Sequence, residues 1–354
     1  MKKHFYAVIM AGGGGTRLWP ASHRGRPKQL MSLGGGNKSL LKQAVDRAAA
    51  VVGMDHILVV TAASQAEAVA EELEELEDKQ ILAEPVGRNT APCIGLAAEI
   101  LYRQDPSAVM AVLPADHHIE DVSGFSKVAS KALEQAASGV IVTLGIRPHR
   151  PETGYGYIEA GDPVEGVQGV HWSKGFVEKP DLETANRYME TGRFFWNSGM
   201  FFMKAEEILA QMAKVMPSLR GSLEVLGEAS TKGPEQLKEA LQEVYPGLDA
   251  ISIDYGVMER VDRMQVVPAD FGWNDVGSWS ALEEILDADD NSNIQEGRAL
   301  FVDSKDCISF SDDGRVVALL GVSGLAVISS EKGVLVCPKE RAQEVRRVVA
   351  ALEE

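Results

Sequence analysis

The sequence predicts an α/β fold in which a mostly parallel sheet, covered by helices, is followed by a small β-rich domain. Apolar strand-like runs alternate with amphipathic helical stretches up to residue 144, a pattern typical of parallel sheets. After residue 286, short β-type runs alternate with Gly and Asp turns. With 354 residues, 45% of them hydrophobic, the chain can bury one large and one smaller core. We therefore expect a first domain over residues 1–290 and a second over 291–354.

The elements of the first domain follow from local periodicity. The expected strands are 5–10, 57–61, 81–83, 109–113 and 140–144, and the expected helices are 40–52, 64–76, 90–102 and 125–137. Ser39 and Ser64 precede two of these helices and are expected to cap them. Ligands of such sheets bind beyond the carboxyl ends of the strands, so the loops there are where function is expected. Residues 205–250 are interpreted as structural helices, and 340–352 as a final amphipathic helix.

A glycine run directly follows the first strand. Gly12–Gly15 requires a sharp turn and close approach of the backbone to a ligand, and Arg17, Arg24, Arg26 and Lys28 follow within a few positions. This density of cations suits phosphate oxygens. The pattern is neither G-x-G-x-x-G nor a P-loop, since the required glycine and Gly-Lys-Ser/Thr are missing. The alternative is an ordinary glycine turn with solvated cations.

Charge and composition exclude several classes of protein. Residues 1–45 hold eight Lys or Arg and no Asp or Glu, whereas the whole chain has a net charge of -17. The pI near 4.9 argues against a nucleic-acid partner, and no apolar run reaches the roughly 18 residues of a membrane span. Cys93, Cys307 and Cys337 are far apart, which predicts a reducing cytoplasm and no zinc site.

Two polar turns follow later strands. The first runs from Glu84 and Pro85 to Arg88, Asn89 and Thr90, and opens a helix whose free N–H groups suit an anion or a base edge. Ordinary capping is the alternative interpretation.

The second polar turn brings Asp116 to the end of a buried strand. A carboxylate there suits Mg²⁺ bound together with substrate phosphates, although an Asx cap is also common. His117 and His118 point in different directions if extended, which disfavours a two-histidine metal site. They are interpreted as pocket wall or surface.

The chain after residue 150 contains four further polar segments. Gly154-Tyr155-Gly156 and Glu178-Lys179 are expected near a ligand, and Asn197-Ser198-Gly199 is expected in a turn into a strand. Carboxylate, amide and backbone groups of this kind distinguish sugar epimers, but each segment is also ordinary in loops. Asp275, between two tryptophans, is a second candidate metal ligand, with a packed turn as the alternative.

These segments together resemble the sugar-1-phosphate nucleotidyltransferases over about residues 5–290. The matching stretches are GGGGTRLWP with PKQ, LAEPVGRNTAP, FVEKP, WNSG, IDYGVME and WNDVGSW, and Gln29 after Pro27-Lys28 favours the guanylyltransferase branch that uses mannose 1-phosphate. The resemblance implies a Rossmann-like nucleotidyltransferase domain and a C-terminal domain that is a partial β-helix. It assigns catalysis to Arg17, Lys28, Asp116 and Asp275, the last two as metal ligands; nucleotide binding to Ala11, Gly12, Gly13, Gly14, Gly15, Thr16, Glu84, Pro85, Arg88, Asn89 and Thr90; and sugar-phosphate binding to Gly154, Tyr155, Gly156, Glu178, Lys179, Asn197, Ser198 and Gly199.

The resemblance also implies a reaction. GTP and α-D-mannose 1-phosphate would give GDP-mannose and pyrophosphate, with Mg²⁺ or alternatively Mn²⁺ as cofactor, in a cytoplasmic homodimer that binds neither nucleic acid nor membrane. Two alternatives stay open: another sugar-1-phosphate nucleotidyltransferase, or a non-catalytic relative that binds GDP-mannose as a regulatory subunit.

Overall fold

The computed structural model describes residues 2–13 and 15–353. Its strands are β1 (Phe5–Ala11), β2 (Ile57–Ala62), β3 (Ile81–Glu84), β4 (Val109–Pro114), β5 (His118–Ile119), β6 (Ile141–Ile146), β7 (Tyr157–Pro163), β8 (His171–Val177), β9 (Phe194–Lys204), β10 (Met264–Ala269), β11 (Trp273–Asn274), β12 (Ile294–Glu296), β13 (Ala299–Val302), β14 (Ile308–Ser311), β15 (Val317–Leu320), β16 (Leu325–Ser330) and β17 (Gly333–Pro338). Its α-helices are α1 (Leu40–Val52), α2 (Ala66–Glu72), α3 (Thr90–Gln104), α4 (Val122–Ala136), α5 (Leu182–Thr191), α6 (Ala205–Val215), α7 (Pro217–Ser230), α8 (Pro234–Val244), α9 (Ile253–Gly256) and α10 (Val345–Glu353). The 3₁₀ turns are Lys2–His4, Thr16–Leu18, Lys28–Leu30, Met54–His56, Ala63–Gln65, Asp78–Gln80, Tyr245–Gly247, Met258–Arg260, Trp279–Glu284 and Lys339–Glu344.

These elements form two compact units, neither of which is continuous in sequence. The first unit contains the residues up to Gly12, Val45–Pro114 and Asp121–Phe271. The second unit contains Gly13–Ala44, Ala115–Glu120 and the residues from Gly272 onward. Arg17, Arg24, Arg26 and Lys28 therefore belong to the same unit as the C-terminal strands, whereas Gly12 belongs to the first unit. The sequence boundary after residue 290 stays a prediction.

The first unit is built on a nine-stranded sheet of order β3-β2-β1-β4-β9-β6-β10-β8-β7. Strands β3, β2, β1 and β4 are parallel, as are β6 and β10, which confirms the predicted α/β fold. Strand β9 runs antiparallel between β4 and β6, and β7 and β8 add an antiparallel edge. The central strands are near-continuous apolar runs because side chains on both faces are buried. Apolar residues of α3, α6 and α7 pack on this sheet.

Helix starts agree with the sequence at one predicted cap and differ at the other. The Ser39 hydroxyl accepts a hydrogen bond from the Lys42 N–H at 3.0 Å, in the first turn of α1. The predicted Ser64 cap is wrong: a 3₁₀ turn, Ala63–Gln65, comes first, and α2 begins after Gln65 without a side-chain cap. Within the described residues, no helix has the length and apolar character needed to cross a membrane.

The second unit contains short parallel ladders, as the expected partial β-helix requires. Strands β12, β14 and β16 pair in parallel, β17 closes this sheet antiparallel to β16, and β13 pairs in parallel with β15. Trp279 is fully buried against Phe310, and its indole N–H donates to the Trp19 carbonyl at 3.0 Å. The expected final helix begins as the 3₁₀ turn Lys339–Glu344 and becomes α-helical only at Val345.

Candidate functional site

The second unit brings Lys28, Asp116 and Asp275 together. The Lys28 ammonium, on a side chain only 10% exposed, donates to Asp116 Oδ2 at 2.9 Å and also to the Asp275 main-chain carbonyl. Burial alone would raise the pKa of Asp116, but the charge of Lys28 and its hydrogen bond lower it. Asp116 is therefore ionised at neutral pH. Three of the four predicted catalytic residues thus form one cluster.

A strained turn presents Asp275. Strands β5 and β11 pair antiparallel with Asn274 opposite His118, so the segments that carry Asp116 and Asp275 are joined by main-chain hydrogen bonds. Val276 is buried with φ at 47°, a conformation that β-branched residues rarely adopt. Its N–H donates to Asn274 Oδ1 at 2.7 Å, which helps to hold the turn. Strain of this kind is common at functional loops.

His117 lies beside this cluster. The Trp273 indole N–H donates to His117 Nδ1 at 3.1 Å, and the two rings meet edge to face. His117 Nε2 is 3.9 Å from Asp116 Oδ1. Its interpretation as pocket wall or surface stays a prediction.

The glycine loop packs on the backbone of Lys28. Gly15 has φ at 58°, and a Cβ built on it would lie 2.7 Å from the Lys28 nitrogen, so only glycine fits. The Ser22 hydroxyl donates to the Gly15 carbonyl and accepts from the Leu18 N–H. Thr16 and the exposed Arg17 belong to the 3₁₀ turn Thr16–Leu18, and Gly13 has φ at 125°. The predicted site residue Gly14 lies outside the described residues.

Asp116 and Asp275 each supply a carboxylate, and Asp275 Oδ1 accepts a hydrogen bond from the Gly277 N–H at 3.1 Å. Carboxylate oxygens are the ligands that Mg²⁺ prefers, and one or two of them suffice when substrate phosphates complete the shell. Among residues 2–13 and 15–353, no group of three or more His, Cys, Asp or Glu forms a complete protein cage for a metal.

In the first unit, Glu84 ends β3 as a buried carboxyl group. It is 5% exposed, and the Tyr245 hydroxyl donates to its Oε1. Burial raises the pKa of Glu84 to about 7, against the opposing effect of the Tyr245 hydrogen bond. A Cβ built on Gly12 would lie 4.0 Å from Glu84 Oε2, so Gly12 is next to the second oxygen. The Ala11 carbonyl, at the end of β1, accepts from the Thr61 hydroxyl at 2.9 Å.

The turn after Glu84 is fixed by a helix cap and by hydrogen bonds to residues 246 and 253. Asn89, with φ at 66°, caps α3, and its Oδ1 accepts from the Thr90 N–H at 2.8 Å. The Thr90 hydroxyl accepts from the Ile253 N–H at 2.8 Å, and Arg88 donates to a main-chain carbonyl. Pro85 is half-buried in this turn. In this structure the Asn89 side chain therefore acts as an ordinary helix cap, the alternative to ligand binding given in the sequence analysis.

A second group of polar side chains surrounds Gly156 in the first unit. A Cβ on Gly156 would lie 2.4 Å from Glu178 Oε2, so glycine is needed for Glu178 to lie there. That oxygen is buried and accepts no hydrogen bond from the described residues, while the Lys179 ammonium donates to Oε1 at 2.8 Å. The Asn197 amide donates to Asp254 Oδ1 at 2.9 Å, and its N–H donates to the Gly156 carbonyl. An unpaired buried acceptor here is suited to a ligand hydroxyl.

Asp254 is a member of this group to which the sequence analysis gave no role. Burial and the charge of Glu178 raise the pKa of Asp254 to about 6. Asp254 lies on α9, whose start is capped by the Ser252 hydroxyl. The sequence signal was the IDYGVME stretch, which periodicity alone does not connect with Asn197.

The remaining residues predicted to bind the sugar phosphate make hydrogen bonds and ring contacts near this group. Gly154 donates its N–H to Glu152 at 2.9 Å, and the Tyr155 ring meets Trp196 edge-on at 5.2 Å between centroids. The fully buried Ser198 hydroxyl donates to the Leu144 carbonyl, and Gly199, with φ at 69°, donates its N–H to Asn197 Oδ1. The predicted turn before the strand is wrong, since these residues lie inside β9.

Two family models match most of this chain. The model described as nucleotidyl transferase matches residues 6–292, and the model described as MannoseP isomerase/GMP-like beta-helix domain matches residues 297–352.

Individual proteins and a solved structure are also similar. A putative mannose-1-phosphate guanylyltransferase of Vibrio cholerae is 37% identical over 99% of this chain and 74% of its own length. The mannose-1-phosphate guanylyltransferase of Escherichia coli is 38% identical over 98% of this chain and 74% of its own length. A crystal structure from Thermus thermophilus, described as a mannose-1-phosphate geranyltransferase, is 40% identical over 99% of this chain and 100% of that chain, with a TM-score of 0.88.

Proposed function

This chain belongs to the nucleotidyl transferase family, and on that premise we propose that it transfers GMP from GTP to α-D-mannose 1-phosphate, forming GDP-mannose and pyrophosphate. The observation that carries the proposal is the cluster in which the buried Lys28 ammonium contacts the Asp116 carboxylate and the Asp275 main-chain carbonyl. The names of the relatives from Vibrio cholerae and Escherichia coli support the choice of substrates.

The reaction does not need a general base. Mannose 1-phosphate is already anionic at pH 7, and one of its phosphate oxygens attacks the α-phosphorus of GTP. A new bond joins that oxygen to the α-phosphorus, the bond to the bridging oxygen of the β-phosphate breaks, and pyrophosphate leaves with the electron pair. Arg17 and Lys28 are assigned to neutralise the triphosphate, because alignment and charge compensation dominate phosphoryl chemistry.

Nucleotidyl transferases of this kind generally use a divalent metal ion, and we assign Mg²⁺ to it, with Mn²⁺ as an alternative. Asp116 and Asp275 would hold the ion, which when bound compensates charge on the triphosphate. The Lys28 ammonium orients Asp116 for this task through their 2.9 Å hydrogen bond.

Glu84 is assigned to the guanine base. Guanine presents two adjacent donors, N1–H and the N2 amino group, and a carboxylate accepts from both, whereas adenine presents an acceptor at N1. Because Glu84 is buried, a base without matching donors would leave its carboxylate without a hydrogen bond, and this lowers the affinity for that base. Asn89 and Thr90 place the amino end of α3 in the same turn.

Glu178, Asn197 and Lys179 are assigned to mannose 1-phosphate, together with Gly154, Tyr155 and Gly156. The unpaired Glu178 Oε2 is an acceptor for a sugar hydroxyl, and the Lys179 ammonium is suited to the sugar's phosphate. We add Asp254 to this group because it shares Asn197.

We further propose a cytoplasmic homodimer that binds neither nucleic acid nor membrane. The acidic pI of about 4.9 supports the exclusion of nucleic acid, and the scattered cysteines support a reducing compartment.

Pyrophosphate release tests the proposal. With Mg²⁺, release is expected for GTP with mannose 1-phosphate and much less with glucose 1-phosphate, ATP, UTP or dTTP. Release with another pair favours a different sugar nucleotidyltransferase. No release with any pair, alongside binding of GDP-mannose, favours the regulatory alternative. The presence of Arg17, Lys28, Asp116 and Asp275 argues against that alternative, because a protein that only binds GDP-mannose does not need all four.

A further inference from the structure

One segment of the first unit braces the turn that follows Glu84. The segment runs from Tyr245 to Ile253. Its residues up to 250 are interpreted from the sequence as part of structural helices. It makes four hydrogen bonds to residues 84–91: Tyr245 hydroxyl to Glu84 Oε1, Arg88 guanidinium to the Pro246 carbonyl, Ala91 N–H to the Ile251 carbonyl at 3.1 Å, and Ile253 N–H to the Thr90 hydroxyl at 2.8 Å. The turn therefore depends on a partner more than 150 residues away.

Of these four hydrogen bonds, the one donated by Tyr245 is accepted by a carboxylate. Its side chain is fully buried in the core under the sheet, and its hydroxyl is directed at Glu84 Oε1. The Glu84 carboxyl group has no other hydrogen bond within residues 2–13 and 15–353, and its Oε2 lies beside Gly12. Tyr245 thus occupies one oxygen, and the other stays available to a ligand.

We propose that Tyr245 is a positioning residue for recognition of the nucleotide base, because it orients Glu84 and leaves Oε2, with its two lone pairs, as the acceptor for the donors of guanine. The inference rests on the proposed function in assigning guanine to Glu84. Tyr245 touches no substrate in this scheme and acts only through the carboxylate.

The groups around Glu84 explain why the hydroxyl matters. They are the Tyr245 hydroxyl, the buried neutral thiol of Cys93 on α3, and Arg88 in the turn, which lies near Tyr245. Burial raises the pKa of Glu84 to about 7, and the Tyr245 hydrogen bond opposes this rise. Without the hydroxyl the pKa of Glu84 rises further, so more of the carboxyl is protonated near neutral pH. A protonated carboxyl presents a donor where guanine also has donors.

The test compares GTP and ATP affinity of the full chain for the wild type and Tyr245→Phe, on both sides of pH 7. Tyr245→Phe is expected to weaken GTP binding roughly tenfold, with a larger loss below pH 7, and to leave ATP binding and the KM for mannose 1-phosphate unchanged. Tyr102→Phe is the matched control, since Tyr102 packs against the same core from α3. Unchanged GTP affinity and pH profile in Tyr245→Phe would overturn the inference, as would equal wild-type affinity for GTP and ATP.

A double-mutant cycle separates positioning from general packing. In the Glu84→Gln background, Tyr245→Phe should have no further effect on GTP affinity, because its route of action is gone. Equal loss in both backgrounds would show a purely structural role and overturn the inference. Wild-type turnover decides the proposed function independently: a chain that selects GTP by affinity but releases no pyrophosphate would contradict the proposed reaction and leave the Tyr245 result standing.

Discussion

The Lys28 ammonium lies 2.9 Å from Asp116 Oδ2, although the two residues are separated by 88 positions in the sequence. The same ammonium contacts the Asp275 carbonyl. A buried cation therefore fixes both segments that carry the proposed metal ligands, and the predictions below follow from this arrangement and its surroundings.

Asp116→Asn and Asp275→Asn are each expected to lower turnover by roughly 100-fold or more without unfolding the protein. An amide keeps the shape of the side chain but loses the charge that holds a divalent cation. Turnover at limiting Mg²⁺, with circular dichroism as the check on folding, measures the effect. Asp290→Asn, at an exposed carboxylate of the same unit, is the control. Wild-type turnover in either variant would remove that residue from the metal site.

Arg17→Ala is expected to raise the barrier for GMP transfer by roughly 3 to 4 kcal/mol, by analogy with the loss of one transition-state donor. Arg17 is exposed, so the thermal midpoint should change little. Steady-state kcat/KM provides the measurement, and Arg298→Ala, another exposed arginine of the second unit, should behave as wild type. A loss of stability equal to the loss of activity would contradict the assigned role.

Gly15→Ala is expected to destabilise the protein by about 1 to 2 kcal/mol and to reduce activity, because the left-handed backbone and the contact with the Lys28 nitrogen leave no room for a Cβ. Denaturant unfolding and turnover are measured together. Gly36→Ala is the control, since Gly36 has open space around it and an ordinary φ. Equal tolerance of the two substitutions would show that the loop does not position Lys28.

Asp254→Asn is expected to stabilise the fold at pH 7 by about 1 to 2 kcal/mol while raising the KM for mannose 1-phosphate. The pKa of Asp254 is about 6 in the folded chain against an ordinary 3.8, so the native state binds the proton more tightly and stability falls as pH rises through this window. The substitution removes that cost. The gain should shrink at pH values below the window, where Asp254 is already neutral, and a gain independent of pH would contradict this account.

Much of the candidate site was predictable from short stretches of sequence. The strand ends that carry Glu84 and Asp116 were visible as apolar runs followed by polar turns, and Lys28 was visible as a cation in a loop without acids. These signals are local, because each depends on a strand and the few residues after it.

The contacts that complete each group were not predictable in this way. Tyr245 and Asp254 reach Glu84 and Asn197 across 161 and 57 positions, and no periodicity connects such pairs. Strand β9 was missed as a continuous element because Asn197, Ser198 and Gly199 have turn-like composition, whereas the pairing of Asn197 with Gly145 of β6 keeps this segment within the sheet. Membership of residues 13–44 in the second unit was not predictable either, because that unit joins them to residues 115–120 and 272–354.

The most direct test of the central claim is the fate of oxygen in one turnover. The chain is supplied with Mg²⁺, GTP and mannose 1-phosphate whose non-bridging phosphate oxygens are ¹⁸O, and both products are analysed by mass spectrometry. GDP-mannose that retains all the label, with unlabelled pyrophosphate, is the predicted result of sugar-phosphate attack on the α-phosphorus. Label in pyrophosphate, or no GDP-mannose at all, would contradict it.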